Sequence, residues 1–228
     1  MDDVTTRKTG GSSTDVAIPS GGESLPGVLV VPERPLGLVL FAHGSGSSRH
    51  SPRNILVSGR LKEAGFATLL FDLLTQDEER LDLLTATHRF DIPLLSARLQ
   101  DATDWVSRWQ DTRSLRIGYF GASTGAAAAL VAAAAMGRGV KAVVCRGGRP
   151  DLAEKALARV SAATLLIVGG QDEAVLRLNE AAVESLRCPK QLSVVPGATH
   201  LFDEPGALEE VARLAIGWFV RRLARRGA

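Results

Sequence analysis

The chain has 228 residues, of which 45% are hydrophobic and 23% are charged, and its formal net charge is +2. This length and apolar content suit one domain with its own core. Because no basic stripe is interleaved with aromatic residues, we expect no nucleic-acid partner. The two cysteines, Cys145 and Cys188, lack the spacing of a metal or redox site. We therefore expect no metal and no cofactor.

The N-terminal end is polar. It has neither a cationic start nor an apolar stretch, so it does not resemble a signal peptide. We predict a flexible segment over residues 1–13 and a single domain over residues 14–228. The longest apolar run, residues 126–136, is too short to span a bilayer. These features predict a cytoplasmic protein without a membrane span.

Apolar runs and amphipathic segments alternate along the rest of the chain. Strands are predicted over residues 27–31, 36–42, 66–70, 115–120, 141–145, 164–168 and 191–195. Helices are predicted over residues 51–65, 92–109, 151–160, 173–186 and 206–226, and an alanine-rich helix follows residue 125. Residues 73–90 are predicted to form a loop with a short helix. Short, wholly apolar strands that alternate with helices indicate an α/β fold with a mostly parallel sheet.

One motif carries a chemical signal. Residues Gly121–Gly125 read GASTG, and they lie between a predicted strand and the alanine-rich helix. A serine between glycines at a strand-to-helix turn is held in a tight conformation with an exposed hydroxyl, which is the nucleophile elbow of α/β-hydrolases. The motif predicts that Ser123 is a nucleophile, provided that an acid and a histidine follow it in that order.

A histidine and an aspartate follow at the right places. A serine hydroxyl needs a base to take its proton, and His200 lies directly after the last predicted strand. Asp172 follows the strand at 164–168 and is predicted to orient that imidazole. Asp172 also fits as the N-cap of the following helix. Glu173 and Asp203 are weaker candidates for the acid.

A loop of small residues follows the strand at 36–42. Its backbone N–H groups at Ser45 or Gly46, together with that of Thr124, are predicted to form an oxyanion hole. The loop lacks the Gly-Lys-Ser/Thr ending of a phosphate-binding P-loop, so nucleotide binding is not expected. His43 is predicted to anchor this loop and not to act as a base.

The chain resembles the dienelactone-hydrolase-like branch of the α/β-hydrolase superfamily over nearly its whole length. The resemblance rests on residues 43–49 (HGSGSSR), 90–94 (FDIPL), 121–125 (GASTG) and 146–152 (RGGRPDL). It implies a mostly parallel, roughly eight-stranded sheet flanked by helices, without a separate lid domain. It also implies a triad of Ser123, Asp172 and His200. Dienelactone hydrolase proper has a cysteine nucleophile, so the serine here implies serine esterase chemistry.

The function predicted from the sequence is hydrolysis of carboxylic esters with small or exposed acyl groups. Arg146, Arg149 and His88 are candidates for binding the substrate, although helix capping or a salt bridge with Asp151 explains the two arginines equally well. The same parts would serve a thioesterase or a peptidase, and a non-catalytic binding module on this fold is the alternative of a different class. The sequence leaves a homodimer open and does not identify the substrate.

Overall fold

The computed structural model describes residues 11–224, and it consists of alternating strands and helices. The strands are β1 (Gly11–Ser20), β2 (Glu23–Pro32), β3 (Leu38–Ala42), β4 (Ala67–Phe71), β5 (Ile117–Ala122), β6 (Val140–Arg146), β7 (Ala163–Gly169) and β8 (Lys190–Val195). The α-helices are α1 (Pro52–Glu63), α2 (Gln76–Thr85), α3 (Ile92–Arg108), α4 (Thr124–Met136), α5 (Glu173–Ser185) and α6 (Ala207–Leu223). None of the helices in the described part of the chain is long and apolar enough to cross a membrane.

All eight strands form one sheet in the order β1-β2-β4-β3-β5-β6-β7-β8. The pairs β1-β2 and β2-β4 are antiparallel, and all pairs from β4 to β8 are parallel. This confirms the predicted α/β fold with a mostly parallel sheet of eight strands. Because parallel strands end at the same edge, the loops after β3, β5, β6, β7 and β8 all emerge together.

Helices cover both faces of the sheet, and each face has its own core. On one face α3, α4 and α5 pack against residues such as Leu40, Leu69 and Tyr119. On the other face α1 and α6 pack against residues such as Phe41 and Phe120. The neighbours Leu40 and Phe41 point to opposite faces because successive strand side chains alternate. Burial on both faces explains why β3, β4 and β5 are wholly apolar or small in sequence.

The structure differs from the prediction at the N-terminal end. Strand β1 begins at Gly11, so residues 11–13 belong to the sheet and not to the segment predicted to be flexible. Their side chains are exposed, and the strand is specified by its pairing with residues 30–32 of β2 rather than by apolar alternation. Residues 1–10 and 225–228 lie outside the described residues, and these include the last two residues, 225–226, of the predicted last helix.

The segment between β6 and β7 also differs. Residues Pro150–Arg159 form two 3₁₀ turns with a break at Glu154, where φ is 43°, and not the predicted α-helix over 151–160. Apart from this segment the chain has no insertion between β6 and β7, so no separate lid domain is present there. The predicted short helix within residues 73–90 is α2, which lies beside the carboxyl edge of the sheet.

Candidate active site

Ser123 stands at the turn between β5 and α4 in a strained backbone conformation, with φ 52° and ψ −121°. Such a conformation costs about 1–3 kcal/mol for a residue with a side chain, so the surroundings must impose it. The backbone N–H of Ser123 donates to the carbonyl of Arg146 at 3.2 Å, and its carbonyl accepts from the N–H of Arg149 at 3.1 Å. The last residue of β6 and the loop that follows it therefore bind both backbone polar groups of Ser123.

The glycines of the motif are required by close approach of the backbone. A Cβ atom on Gly121 would lie 2.5 Å from the Cα of Ala126 and 2.7 Å from the carbonyl oxygen of Gly125. A Cβ on Gly125 would collide with the carbonyl oxygens of Ala42 and His43 at the end of β3. Helix α4 can start immediately above β3 and β5 only because neither glycine has a side chain.

Asp172 and His200 meet across the ends of β7 and β8. The Nδ1 atom of His200 lies 2.6 Å from Oδ2 of Asp172. The carboxylate is mostly buried, with 15% of its side chain exposed, whereas the His200 side chain is 40% exposed. A carboxylate on Nδ1 favours the tautomer that leaves Nε2 free to accept a proton.

The two weaker acid candidates have other partners. Glu173 lies 3.7 Å from Arg177 on the surface of α5, and Asp203 lies 3.4 Å from Arg53 on α1. Asp172 is also the N-cap of α5, because its Oδ1 accepts from the N–H of Val175. The carboxylate of Asp172 therefore contacts His200 and caps α5 at the same time.

The loop after β3 is anchored by His43, as predicted. Nε2 of His43 accepts the backbone N–H of Leu73 at 3.0 Å, and Nδ1 lies 3.1 Å from the carbonyl oxygen of Gly44. Burial lowers the pKa of His43, so the imidazole is neutral at neutral pH. A neutral ring can donate from Nδ1 and accept at Nε2, which matches both contacts.

The predicted oxyanion residues come from two elements that touch. The hydroxyls of Ser45 and Thr124 lie 3.0 Å apart. Thr124 is the first residue of α4, so its backbone N–H has no partner within the helix. Gly46 occupies a turn with φ 63°, which the N–H of Ser47 closes by donating to Gly44 at 3.2 Å. The loop and the helix N-terminus thus face the same space.

Two clefts open beside Ser123. We call the first the serine–histidine cleft; it has a volume of about 220 Å³. It is lined by Gly44, Ser45, Ser47, Ser51, Arg53, Asn54, Ala122, Ser123, Arg146, His200 and Leu201. We call the second the leucine pocket, because Leu73, Leu74, Leu83 and Leu95 line it together with Thr124 and residues of the loop. Ser45 lines both, so the loop forms the wall between them.

Of the predicted substrate-binding residues, Arg146 lines the serine–histidine cleft. Arg149 is instead held by both carboxylate oxygens of Asp151, at 2.9 and 2.7 Å. His88 donates its backbone N–H to Asp82 and lines neither cleft, whereas its neighbour Arg89 lines the leucine pocket. Of the three, Arg146 is therefore the residue that lines the cleft that contains Ser123.

Sequence reasoning missed Arg53 and Asn54 in the first turn of α1. Both line the serine–histidine cleft. Their sequence signal is weak, because a polar first turn is common in helices. The sequence feature that could have pointed to these two residues is that α1 begins directly after the loop that follows β3. Within residues 11–224, no group of three or more histidine, cysteine, aspartate or glutamate side chains is arranged to hold a metal ion.

The sheet order, the strained serine after β5 and the histidine after β8 define an α/β-hydrolase fold. The chain belongs to the dienelactone hydrolase family, whose family model matches residues 24–216. A dienelactone hydrolase from Anabaena variabilis is 56% identical, with a TM-score of 0.92, and the match covers 93% of this chain and 99% of that chain. This likeness confirms the resemblance that the motifs indicated.

More distant structures share the fold. Est1E from Butyrivibrio proteoclasticus superposes with a TM-score of 0.76 at 18% identity, over 92% of this chain and 98% of that chain. A Mycobacterium tuberculosis protein named "Putative phosphoribosyl transferase" is 57% identical over 213 residues. The match covers 93% of this chain but 47% of that protein, so the chain spans about half the length of this curated relative.

Proposed function

We propose that the protein is a serine hydrolase that cleaves carboxylic esters of small or exposed acyl groups through an acyl-enzyme. The observation that supports this most is the 2.6 Å contact between Asp172 and His200 on the rim of a cleft that also contains Ser123. A strained serine followed along the chain by a buried carboxylate and then a histidine is the arrangement with which serine hydrolases activate the hydroxyl.

In the proposed mechanism Oγ of Ser123 attacks the acyl carbon, and Nε2 of His200 takes the hydroxyl proton. The backbone N–H groups of Thr124 and of Ser45 or Gly46 bind the oxyanion. The bond to the leaving alcohol then breaks, and His200 returns the proton to the alcohol oxygen. Water, deprotonated by the same imidazole, releases the acyl group as a carboxylic acid. Asp172 holds the imidazole and stabilises its charged form.

The leucine pocket supports the preference for small acyl groups. It lies on the Thr124 side of the nucleophile, with Leu83 of α2 in its lining, and its volume of about 20 Å³ leaves room only for a small acyl group. We further propose that Arg146 contacts the substrate, because it lines the cleft with Ser123 and His200. Substrate binding by Arg149 and by His88 remains a prediction, as do the homodimer and the cytoplasmic location.

Thioester or peptide hydrolysis would use the same groups, so the leaving group must be tested directly. The name of the mycobacterial relative belongs to a protein about twice as long as the matched region. We propose no phosphoribosyl transfer for this chain, because the contact between Asp172 and His200 at a cleft with Ser123 supports acyl transfer instead.

The decisive experiment is labelling with a fluorophosphonate probe, which reacts with activated serines. We expect the parent protein to be labelled and Ser123→Ala not to be. Turnover of 4-nitrophenyl acetate should fall by more than about 10⁴-fold in that variant. Ser58→Ala, at an exposed serine of α1, is the matched control and should behave like the parent. An unlabelled parent, or a labelled Ser123→Ala, would refute the proposal.

Substrate size is tested with a series of 4-nitrophenyl esters of increasing acyl length. We expect kcat/KM to be highest for the shortest chains and to fall as the acyl group exceeds the leucine pocket. Equal turnover of long-chain esters would contradict a preference for small acyl groups. Acetyl thioesters and anilides, measured beside the acetate, rank the three leaving groups.

A further inference from the structure

Arg146 is a buried cation without a carboxylate partner. The residue is only 7% exposed. Among the described residues, its side-chain contacts are one long hydrogen bond from Nη1 to the carbonyl of Leu201, at 3.4 Å, and the ring of Phe202, 5.8 Å away. Its Nε is buried and has no hydrogen-bond partner. A guanidinium has five N–H donors, so most of its binding capacity is unused.

Two further groups in the same cleft are incompletely paired. Nε of Arg53 and Oδ1 of Asn54 are also buried without a partner. The ion pair of Arg53 is long, at 3.4 Å, and its partner Asp203 has a side chain that is 60% exposed. Burial, and then the nearby charge of Arg53, lower the pKa of Arg146 to about 10 although the charge of Asp203 opposes the shift, so the Arg146 guanidinium is charged at neutral pH.

Two like charges beside a cleft repel each other, and the exposed carboxylate of Asp203, 3.4 Å from Arg53, offsets this only in part because it forms no ion pair with the buried Arg146. A buried donor without a partner destabilises the fold, and a charged donor does so more strongly than a neutral one. An anion in the cleft would offset the repulsion and bind the unused donors in bidentate fashion. The cleft is large enough for such a group, since its volume is about 220 Å³.

We propose that Arg146 and Arg53 form a subsite for a carboxylate or phosphate group on the alcohol part of the substrate. This inference rests on the proposed esterase function and specifies its substrate class. The subsite would select esters of anionic alcohols, while the acyl group occupies the leucine pocket. Oδ1 of Asn54 would accept a hydrogen bond from a hydroxyl of the same alcohol.

The assignment of the anion subsite to the alcohol part of the substrate follows from the position of His200. The imidazole must protonate the leaving oxygen, so the alcohol lies next to His200 when the bond breaks. The serine–histidine cleft contains His200 and Arg146, whereas the leucine pocket contains neither. The arginines therefore face the departing alcohol. The acyl-enzyme left behind, and its hydrolysis by water, do not involve them.

Because the arginines face the alcohol and not the acyl-enzyme, substituting them should lower kcat/KM for esters of anionic alcohols and not for esters of neutral ones. Three acetate esters share one acyl-enzyme: 4-acetoxybenzoate, 4-acetoxyphenyl phosphate and the neutral methyl 4-acetoxybenzoate. We expect Arg146→Met to lower kcat/KM by about 10- to 100-fold for at least one of the anionic esters relative to the neutral one. Arg146→Lys should restore part of the loss. Whichever of the two anionic esters loses more kcat/KM in Arg146→Met identifies the preferred anion, carboxylate or phosphate.

Two controls accompany this experiment. Arg60→Met removes a cation from the same helix as Arg53, at a side chain that is 51% exposed, and should leave the ratios unchanged. The alternative that the anion belongs to the acyl part of the substrate is tested by comparing kcat/KM for mono-(4-nitrophenyl) succinate with that for its neutral methyl ester. An Arg146-dependent preference for the succinate would overturn the assignment to the alcohol side.

Binding of the alcohol products tests the subsite without catalysis. By calorimetry, 4-hydroxybenzoate or 4-hydroxyphenyl phosphate should bind the Ser123→Ala protein at least tenfold more tightly than methyl 4-hydroxybenzoate. Arg53→Met should remove most of that difference, which covers the case in which Arg146→Met does not fold. Equal binding of charged and neutral alcohols overturns the subsite.

The two proposals can fail separately. A parent protein that is labelled at Ser123 and hydrolyses the neutral ester, but shows no preference for anions, retains the esterase function and loses the subsite. An unlabelled parent that still binds the anionic alcohols through Arg53 and Arg146 would retain an anion site and lose the esterase, and with it the substrate class.

Discussion

Asp172 binds His200 and the first turn of α5 with different oxygens of one carboxylate. Oδ2 lies 2.6 Å from Nδ1 of His200, and Oδ1 accepts the N–H of Val175 at 3.4 Å. The cap therefore fixes the rotamer that presents Oδ2 to the imidazole. One side chain connects the stability of α5 with the orientation of the candidate base.

Substitutions at Asp172 should separate these two roles. Asp172→Asn keeps an N-cap but offers His200 an amide, so kcat should fall about 10³–10⁴-fold with little loss of stability. Asp172→Ala should lose activity to a similar extent and also about 1 kcal/mol of unfolding free energy. Ester turnover and urea unfolding measure the two effects. Full activity in Asp172→Asn would exclude the proposed role of the carboxylate.

The strain at Ser123 predicts a stabilised inactive variant. Glycine adopts φ 52° without steric cost, so Ser123→Gly should abolish probe labelling and raise the unfolding free energy by about 1 kcal/mol. Ser123→Ala is the control, because alanine keeps the Cβ atom and should give no comparable gain. Thermal and urea unfolding of the three proteins provide the measurement, and equal stability of all three would argue against stored strain.

Gly121 should tolerate no side chain. Its Cβ would lie 2.5 Å from Ala126 of α4, so Gly121→Ala must displace the helix that carries Thr124, at a cost of at least about 2 kcal/mol. Gly59→Ala is the matched control, since a Cβ there meets nothing within 4 Å and α1 gains helix propensity. Urea unfolding should show a loss for the first and a gain of up to about 1 kcal/mol for the second.

The Glu78–Arg98 ion pair should make stability depend on acid. Burial would raise the pKa of Glu78, but hydrogen bonds from Arg98 and Thr75 outweigh it and lower the pKa from 4.5 to about 2. Since the folded pKa is the lower one, the contribution is complete above pH 4.5 and disappears as the pH falls towards 2.

Glu78→Gln tests this dependence. The variant should be about 1–2 kcal/mol less stable than the parent at pH 7, because Arg98 is nearly fully buried and loses its partner. The difference should shrink progressively in urea unfolding between pH 4.5 and pH 2. A difference that is constant over this range would show that the charge on Glu78 does not stabilise the fold.

The parallel part of the sheet was predictable because its strands are buried on both faces. Runs such as 165–168 are apolar at every position, and several such runs that alternate with helices are typical of a parallel sheet between two helix layers. Strand β1 was not predictable in the same way. Its first residues are polar and exposed, and they are strands only because β2 offers them a hydrogen-bonding partner.

At residues 150–159 a sequence pattern is present, but it predicts the wrong type of helix. Its apolar spacing favours an α-helix, but a residue with φ 43° at Glu154 breaks it into two turns. Sequence periodicity reports which side of a segment is apolar, and a 3₁₀ turn and an α-turn differ little in that respect over ten residues. Packing against α4 decides between them.

The sequence by itself determined the fold class, the order of Ser123, Asp172 and His200, and the glycines that let α4 approach the sheet. These are local properties, because a strand, a turn and a tight approach each leave a pattern within a few residues. Only the tertiary structure decided that Arg146 lines a cleft together with Arg53 and His200. A charge acquires its role from neighbours distant in sequence, and no local pattern records which neighbours those are.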